Sequence, residues 1–213
     1  MLHICSSIYL GLRKDGYMSA QIKSRKRVAD FGEVYTAQKQ VNDMLALLPD
    51  DMPLESTYLE PACGNGNFLA AILKKKLNKA LSIGENIDRL FIIAVSSIYG
   101  VDIQEDNVLE SRNRMLHIMM KTYKSHIGIE MPTYVMNAVS EVLKRNVICG
   151  NTLTAESADG QPLTFCEWEI KDSGYVICKE YHFSNLIEAN GECNKYSSKR
   201  RYSWLVDERI KVA

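Results

Sequence analysis

The stretch YLEPACGNGNFLAAIL, residues 58–73, is the feature that most restricts how this chain can fold. Its start favours a strand, and that strand ends at Glu60-Pro61 because proline cannot donate to a sheet ladder. A turn with Gly64 and Gly66 follows, and the apolar residues after it recur at helical spacing. Glycine has no Cβ, so such a turn lets a ligand approach the main chain closely. The stretch predicts an α/β unit with a ligand site at the carboxyl end of the strand.

The segments on either side of this turn alternate between strand-like and helix-like patterns. We predict strands over 56–60, 98–102 and 146–151 and helices over 67–79, 86–97, 104–126 and 132–144. This alternation predicts an α/β fold with a parallel sheet and helices on both faces.

A further helix is predicted before the first strand. Thr36 is its candidate N-cap, and its apolar face contains Val41, Met44, Leu45 and Leu48.

The C-terminal part of the chain has a different pattern. The runs PLTFCEWEI and GYVICKEYHF are rich in strand-forming residues and are joined through Lys171-Asp172-Ser173-Gly174, a turn signal. They predict a β-hairpin. We divide the chain into an N-terminal extension (1–27), a ligand-binding domain (28–155), a hairpin extension of that domain (156–190) and a polar tail (191–213).

Composition excludes several classes of protein. Among 213 residues, 26 Lys and Arg balance 26 Asp and Glu, so no overall basic character points to nucleic acid. The six cysteines lack the close Cys and His spacings of zinc sites, and they are too sparse for a disulfide scaffold. We therefore expect reduced cysteines, no metal, no membrane segment and a cytoplasmic location.

Two classes of ligand fit a glycine turn after the first strand, namely dinucleotides and S-adenosylmethionine. The dinucleotide fingerprint needs a third glycine, but Leu69 stands there, and no predicted strand ends on an acid to hold the ribose at the expected distance of about 20 residues. A nicotinamide-dependent oxidoreductase is therefore the weaker interpretation.

The turn resembles the first motif of S-adenosylmethionine-dependent adenine-N6 DNA methyltransferases. That motif is roughly Asp/Glu-Pro-x-x-Gly-x-Gly-x-Phe, and Glu60, Pro61, Gly64, Gly66 and Phe68 match it. The resemblance implies a Rossmann-like methyltransferase sheet and S-adenosylmethionine as cofactor.

Other segments extend the resemblance over about residues 28–155. Tyr35 and Thr36, in GEVYTAQKQ, resemble the motif that contacts the methionine end of the cofactor. Asp102 and Ile103, in IYGVDIQED, take the positions of the acid that binds the ribose hydroxyls and of the side chain that packs on adenine. Asn151, in NVICGNTL, stands where the family often has aspartate.

Each of these residues also has a plain structural interpretation. Glu60 and Asp102 could cap helices, Thr36 could be an N-cap only, Phe68 could be a core residue, and Asn151 could hold a turn.

The catalytic motif of the family, Asn/Asp/Ser-Pro-Pro-aromatic, is absent. The prolines are at 49, 53, 61, 132 and 162, and no two are adjacent. We therefore name no catalytic residue and expect this chain to be inactive alone. The resemblance implies DNA and a second methyltransferase or specificity subunit as partners. The alternative is a non-catalytic regulatory or interaction module of a restriction-modification or mobile-element system.

Overall fold

The computed structural model describes residues 22–49, 51–171, 176–184 and 198–202, the last range as main chain only. The chain divides into two compact units between Tyr35 and Thr36. In the first unit, helix α1 (Arg25–Phe31) begins after Ser24, whose side chain accepts a hydrogen bond from the Arg27 N–H at 3.1 Å. This helix crosses the boundary at 27/28 that was drawn from the sequence.

The described part of the second unit is α/β and contains two three-stranded sheets, one parallel and one antiparallel. Its elements in chain order are α2 (Gln38–Leu45), β1 (Tyr58–Glu60), α3 (Asn67–Ile83), α4 (Ile87–Ser96), β2 (Ile98–Asp102), α5 (Glu105–Ile127), α6 (Thr133–Asn146), β3 (Val147–Cys149), β4 (Thr164–Ile170), β5 (Val176–His182) and β6 (Ser198–Tyr202). Among the described helices, none is long and apolar enough to cross a membrane.

The parallel sheet has the strand order β1-β2-β3. Tyr58 is in register with Ile98, and Asp102 is in register with Cys149. Because the three strands run in the same direction, their carboxyl ends meet at one edge. That edge carries the glycine turn and the acid of the predicted site, as the α/β alternation requires.

The helix before β1 differs from the prediction in two details. It begins at Gln38 with Ala37 as N-cap, and the Gln40 side chain accepts a hydrogen bond from the Ala37 N–H at 3.3 Å. The prediction of Thr36 as N-cap is therefore wrong by one residue. Val41 and Leu45 are buried as predicted, but Met44 faces solvent and is 53% exposed.

Other elements also differ from the prediction. Helix α3 runs four residues past the predicted end, to a left-handed C-cap at Gly84 (φ 79°). Strand β3 is shorter than predicted, because Asn146 still belongs to α6 and Asn151 lies in the following loop. The predicted hairpin is present as β4 and β5, and β6 adds a third antiparallel strand that the sequence analysis did not predict.

The main core lies among helices α3 to α6 and the parallel sheet. Leu73, Phe91, Met115 and Val139 are fully buried there, one from each of these helices. A single acid connects three of the helices, because Asp88 in α4 accepts hydrogen bonds from the hydroxyls of tyrosines in α5 and α6, Tyr123 and Tyr134. Apolar burial therefore holds the core, and the shared contact at Asp88 adds to it.

Asn146 joins the antiparallel sheet to this core. Its buried amide donates to the Ser96 and Ile98 carbonyls at 2.9 and 3.1 Å, and its oxygen accepts from Trp168 Nε1 at 2.8 Å. The Tyr99 hydroxyl also donates to the Cys166 carbonyl at 2.6 Å. Both sheets are therefore parts of one packed unit.

Lys76 in α3 is a buried cation, only 5% exposed. Its ammonium group donates to the Leu54 carbonyl, to the Ser56 carbonyl at 2.7 Å and to Ser97 Oγ at 2.6 Å. Burial lowers the pKa of this lysine to about 8, so the amine stays mainly protonated near neutral pH. It holds the chain before β1 against α3 and the start of β2.

We expect Lys76→Met to lower the free energy of unfolding by about 2–4 kcal/mol, because two carbonyl oxygens lose their buried donor. Urea denaturation measures this loss. Lys74→Met is the control, since Lys74 is exposed on the same helix, and we expect a change below about 0.5 kcal/mol. Equal effects of the two substitutions would contradict the structural role of Lys76.

Candidate functional site

The glycine turn between β1 and α3 packs against the end of β2. The Cys63 N–H donates to the Val101 carbonyl at 2.8 Å, and the Gly66 N–H donates to the Cys63 carbonyl at 2.9 Å. Gly64 and Gly66 have φ angles of 51° and 82°, in the left-handed region that favours glycine. The two glycines therefore fit the conformation that this turn requires.

Gly66 is also restricted by its neighbour on α5. A Cβ on Gly66 would lie 2.3 Å from Ser111 Oγ and 2.9 Å from Ser111 Cβ. Because Ser111 is fully buried, it cannot move aside easily. The turn and α5 approach each other so closely that only glycine fits.

Asp102, the last residue of β2, connects the turn to α5. One carboxylate oxygen accepts the Gly64 N–H at 2.8 Å. The other accepts the Gln104 N–H at 2.9 Å and the Asn107 side-chain amide at 3.1 Å. The main-chain oxygen of Asp102 accepts the Gly150 N–H at 2.9 Å. A carboxylate offers about four acceptor positions, so three protein donors leave about one for a ligand hydroxyl.

The site has negative charge at its centre. The Glu60 carboxylate folds back on the turn and accepts the Ala62 N–H at 3.2 Å. Burial raises the pKa of the Cys63 thiol, and the charges of Asp102 and Glu60 raise it further. The thiol therefore stays protonated and is no nucleophile. The two carboxylates that act on this thiol repel a pyrophosphate and attract a cationic ligand.

The start of α3 presents main-chain donors to the same region. Its N-cap is Gly66, which has no side chain to satisfy the N–H groups of the first turn. Asn65 Oδ1 and Ser111 Oγ are buried without a hydrogen-bond partner among the described residues. N–H groups without a side-chain cap, two unsatisfied oxygens and two acids together suit a ligand that carries a carboxylate, hydroxyls and positive charge.

The other predicted residues lie around this centre with mixed exposure. Pro61 is exposed, and its carbonyl accepts a hydrogen bond from Thr152 Oγ1 at 3.2 Å. Ile103 follows Asp102 and is 49% exposed, so its side chain is accessible. Phe68 is half-buried and packs against the main core, which favours its plain structural interpretation.

Asn151 has a partner that explains it without a ligand. Its side-chain oxygen accepts the Leu153 N–H at 2.9 Å, which makes a local turn. Its main chain bridges to Glu156, with the Asn151 N–H donating at 2.8 Å. Asn151 therefore shapes the loop after β3, and through Thr152 this loop reaches the glycine turn.

The two residues of the N-terminal motif fall in different compact units. Tyr35 belongs to the first, where its hydroxyl donates to Glu33 at 2.8 Å. Thr36 belongs to the second, where it is exposed and its carbonyl accepts a hydrogen bond from the Asn67 side chain at 2.9 Å. Thr36 thus contacts the first residue of α3 through its main chain.

Sequence reasoning missed Asn107 and Ser111, which hold Asp102 and Gly66 from α5. Both are fully buried polar residues on the stripe of α5 that also contains Val108 and Met115. A polar residue at a core position of an amphipathic helix can be detected in the sequence. It indicates a structural or functional role, because a buried polar group needs a hydrogen-bond partner.

A second group of titratable side chains lies between β4 and β5. The ligand atoms of Cys166, Cys178 and Glu180 are within 4.8 Å of one another, although no close cysteine spacing in the sequence predicts this. Glu180 is paired with Arg145 at 2.7 Å. Because that guanidinium repels a cation, we assign no metal to this group.

Comparison of the chain with protein-family models, with curated proteins and with solved structures yields no significant match.

We expect Gly66→Ala to destabilise the protein by about 3 kcal/mol, because the new Cβ combines left-handed strain with overlap on Ser111. Gly160→Ala is the matched control. Gly160 has a similar φ of 74°, but nothing lies within 4 Å of its Cβ position, so we expect about 1 kcal/mol there. Chemical denaturation of both variants separates the cost of the left-handed conformation from the cost of overlap with Ser111. Equal losses of stability would mean that Ser111 does not restrict the turn.

Proposed function

We propose that this protein binds S-adenosylmethionine at the carboxyl ends of β1 and β2 and is related in function to adenine-N6 DNA methyltransferases. The observation that carries the proposal is the hydrogen bond from the Gly64 N–H to the Asp102 carboxylate, 2.8 Å long. It brings the glycine turn of the first motif and the acid of the second into one site.

The residues of this site have distinct proposed roles. Asp102 accepts a ribose hydroxyl with the acceptor position that its protein partners leave. Ile103 covers one face of the adenine, and Glu60 holds the cationic methionine part. The first turn of α3 donates N–H groups to the methionine carboxylate. When bound, the cofactor supplies an electrophilic methyl group.

Negative charge also favours this ligand over a dinucleotide. A pyrophosphate at the start of α3 would meet the carboxylates of Glu60 and Asp102, whereas the sulfonium and ammonium groups of S-adenosylmethionine are attracted by them. The third glycine of the dinucleotide fingerprint is also missing, because the fully buried Leu69 stands at its position. This too favours S-adenosylmethionine over a dinucleotide.

The strand order supports a Rossmann-like methyltransferase sheet with helices on both faces. The order β1-β2-β3 corresponds to the 3-2-1 half of a doubly wound sheet, whose other half continues from the free edge of strand 1. Within the described residues, β1 has β2 as its only strand neighbour. We propose that a partner chain adds the catalytic motif and DNA recognition on that side.

A non-catalytic module is the second candidate function. The absence of any Pro-Pro pair from the sequence favours it, because the family orients the target amino group with that motif. A module of this kind would regulate or assemble a restriction-modification or mobile-element system through protein contacts. Binding of S-adenosylmethionine without methylation by any added partner would favour it.

Calorimetry with S-adenosylmethionine tests the proposal directly. We expect binding by the wild-type chain and a loss of about 1.5–3 kcal/mol for Asp102→Ala, the scale of a charge-assisted hydrogen bond. Because Asp102 also holds the turn, Asn107→Leu is the control. It removes one protein donor but keeps the carboxylate, so most of the affinity should remain.

Two results would count against the assigned site. Undetectable binding at millimolar cofactor would remove the proposed function. Equal losses in Asp102→Ala and Asn107→Leu would mean that the acid acts only through the shape of the turn.

A methylation assay on DNA tests the missing catalytic motif. We expect no adenine methylation by this chain alone, since none of its site residues can orient an adenine amino group. Transfer of labelled methyl groups to DNA by the purified chain would show that a different set of residues performs catalysis.

A further inference from the structure

A cavity of about 340 Å³ lies at the amino end of β1, beside the second half of α3. This volume is within the range of small-molecule sites. No residue of the glycine turn lines it, and neither does Asp102 or Ile103. Lys79 on its α3 wall is about 20 Å along the helix from the turn at 1.5 Å per residue. The cavity is therefore separate from the candidate cofactor site.

The wall formed by α3 is cationic. Lys75, Lys76 and Lys79 line the cavity, and no acid is among the described residues that do so. The acid whose charge acts on Lys76 is Glu55, which is exposed and is not part of the lining. The lining residues therefore carry net positive charge, which attracts an anion.

Two donors at the floor of the cavity converge on Met52. The Tyr58 hydroxyl donates to the Met52 sulfur at 3.2 Å, and a thioether is a weak acceptor. The Lys79 ammonium donates to the Met52 carbonyl and, at 3.2 Å, to the Asp51 carbonyl. An ammonium has three protons, so one remains after these two bonds. A carboxylate or phosphate oxygen near Met52 would be a better acceptor for both residues.

Lys76 contributes positive charge to the cavity, but its ammonium group makes no contact with a ligand. Its three protons are used by protein oxygens, and its ammonium lies over the Tyr58 ring at 5.1 Å from the centroid. It therefore raises the local potential and positions Tyr58, but it has no proton left for a ligand.

Another part of the lining is apolar. Leu45, Leu48 and Pro53 come from α2 and the chain after it, Ile72 comes from α3, and none of them offers a charged partner. Desolvating such a wall favours an apolar body on the ligand. One part of the lining thus suits an anionic group and the other suits a hydrocarbon or aromatic body.

We propose that this cavity is a binding site for an amphipathic organic anion, with a carboxylate or phosphate held by Tyr58 and Lys79 and an apolar body of roughly ten non-hydrogen atoms. The proposal does not depend on the proposed function. Its ligand contacts lie at the amino end of β1, whereas the candidate cofactor site is at the carboxyl end.

Titration of the full chain with decanoate and decyl phosphate tests the proposal, with decanamide as the neutral compound of matched length. We expect one anion per chain and binding of decanamide that is at least about tenfold weaker, because the charge-assisted hydrogen bonds are lost. Whichever anion binds more tightly identifies the preferred head group. Binding of neither anion, or equal binding of the amide, overturns the proposal.

Substitutions of the lining residues test whether decanoate binds in this cavity. We expect Lys79→Met and Tyr58→Phe each to weaken decanoate binding about tenfold. Lys74→Met should leave it unchanged, since Lys74 is on the same helix but does not line the cavity. An equal loss in Lys74→Met would mean general attraction by the charge of α3 and would overturn the assignment.

A second measurement keeps the proposal testable if a variant is unstable. Nuclear Overhauser contacts between bound decanoate and the wild-type methyl groups of Leu48 and Met52 are expected. Contacts only to other methyl groups would place the ligand elsewhere and overturn the proposal. Saturating S-adenosylmethionine should not compete with decanoate, which separates failure of this site from failure of the cofactor site.

Discussion

The carboxylate of Asp102 is the interaction on which the candidate site depends. It accepts the N–H of Gly64 from the turn after β1 and two donors from the start of α5, and its own carbonyl accepts the N–H of Gly150 after β3. One residue therefore fixes the ends of all three parallel strands relative to one another. Because the bonds to an ionised acceptor are stronger than those between neutral groups, these contacts hold the edge firmly.

The two ends of β1 lie among side chains of opposite charge. Glu60 at the carboxyl end lies with Asp102 in an acidic site, whereas Tyr58 at the amino end faces three lysines of α3. The strand is only three residues long, so opposite potentials lie close to each other. Lys76 makes this arrangement stable, because its buried ammonium is satisfied by oxygens from the chain before β1 and from Ser97. The two ends of one strand therefore lie among side chains of opposite charge.

Much of the fold could be predicted because it depends on local patterns. Strand β2 has the predicted bounds, and the helices of the α/β part begin within a residue of the predicted starts. The errors in the helix bounds occur where a single residue determines where the helix begins or ends. Ala37 takes the N-cap position in place of Thr36 because the first turn closes on Gln40, and α3 continues past 79 until Gly84 provides a left-handed cap. Strand β6 was missed because KRRY is polar, and its pairing with β5 is a long-range contact.

The sequence by itself determined the α/β order, the glycine turn, the acids at two strand ends and the lack of adjacent prolines. These follow from residue type and periodicity, which act over a few residues. Only the tertiary structure decided that Ser111 confines Gly66, that Asn107 supports Asp102, and that the Tyr58 hydroxyl and the Lys79 ammonium meet at Met52. The contacts of Ser111 with Gly66 and of Lys79 with Met52 join residues far apart in the chain. They depend on the register and packing of whole elements, which no local pattern encodes.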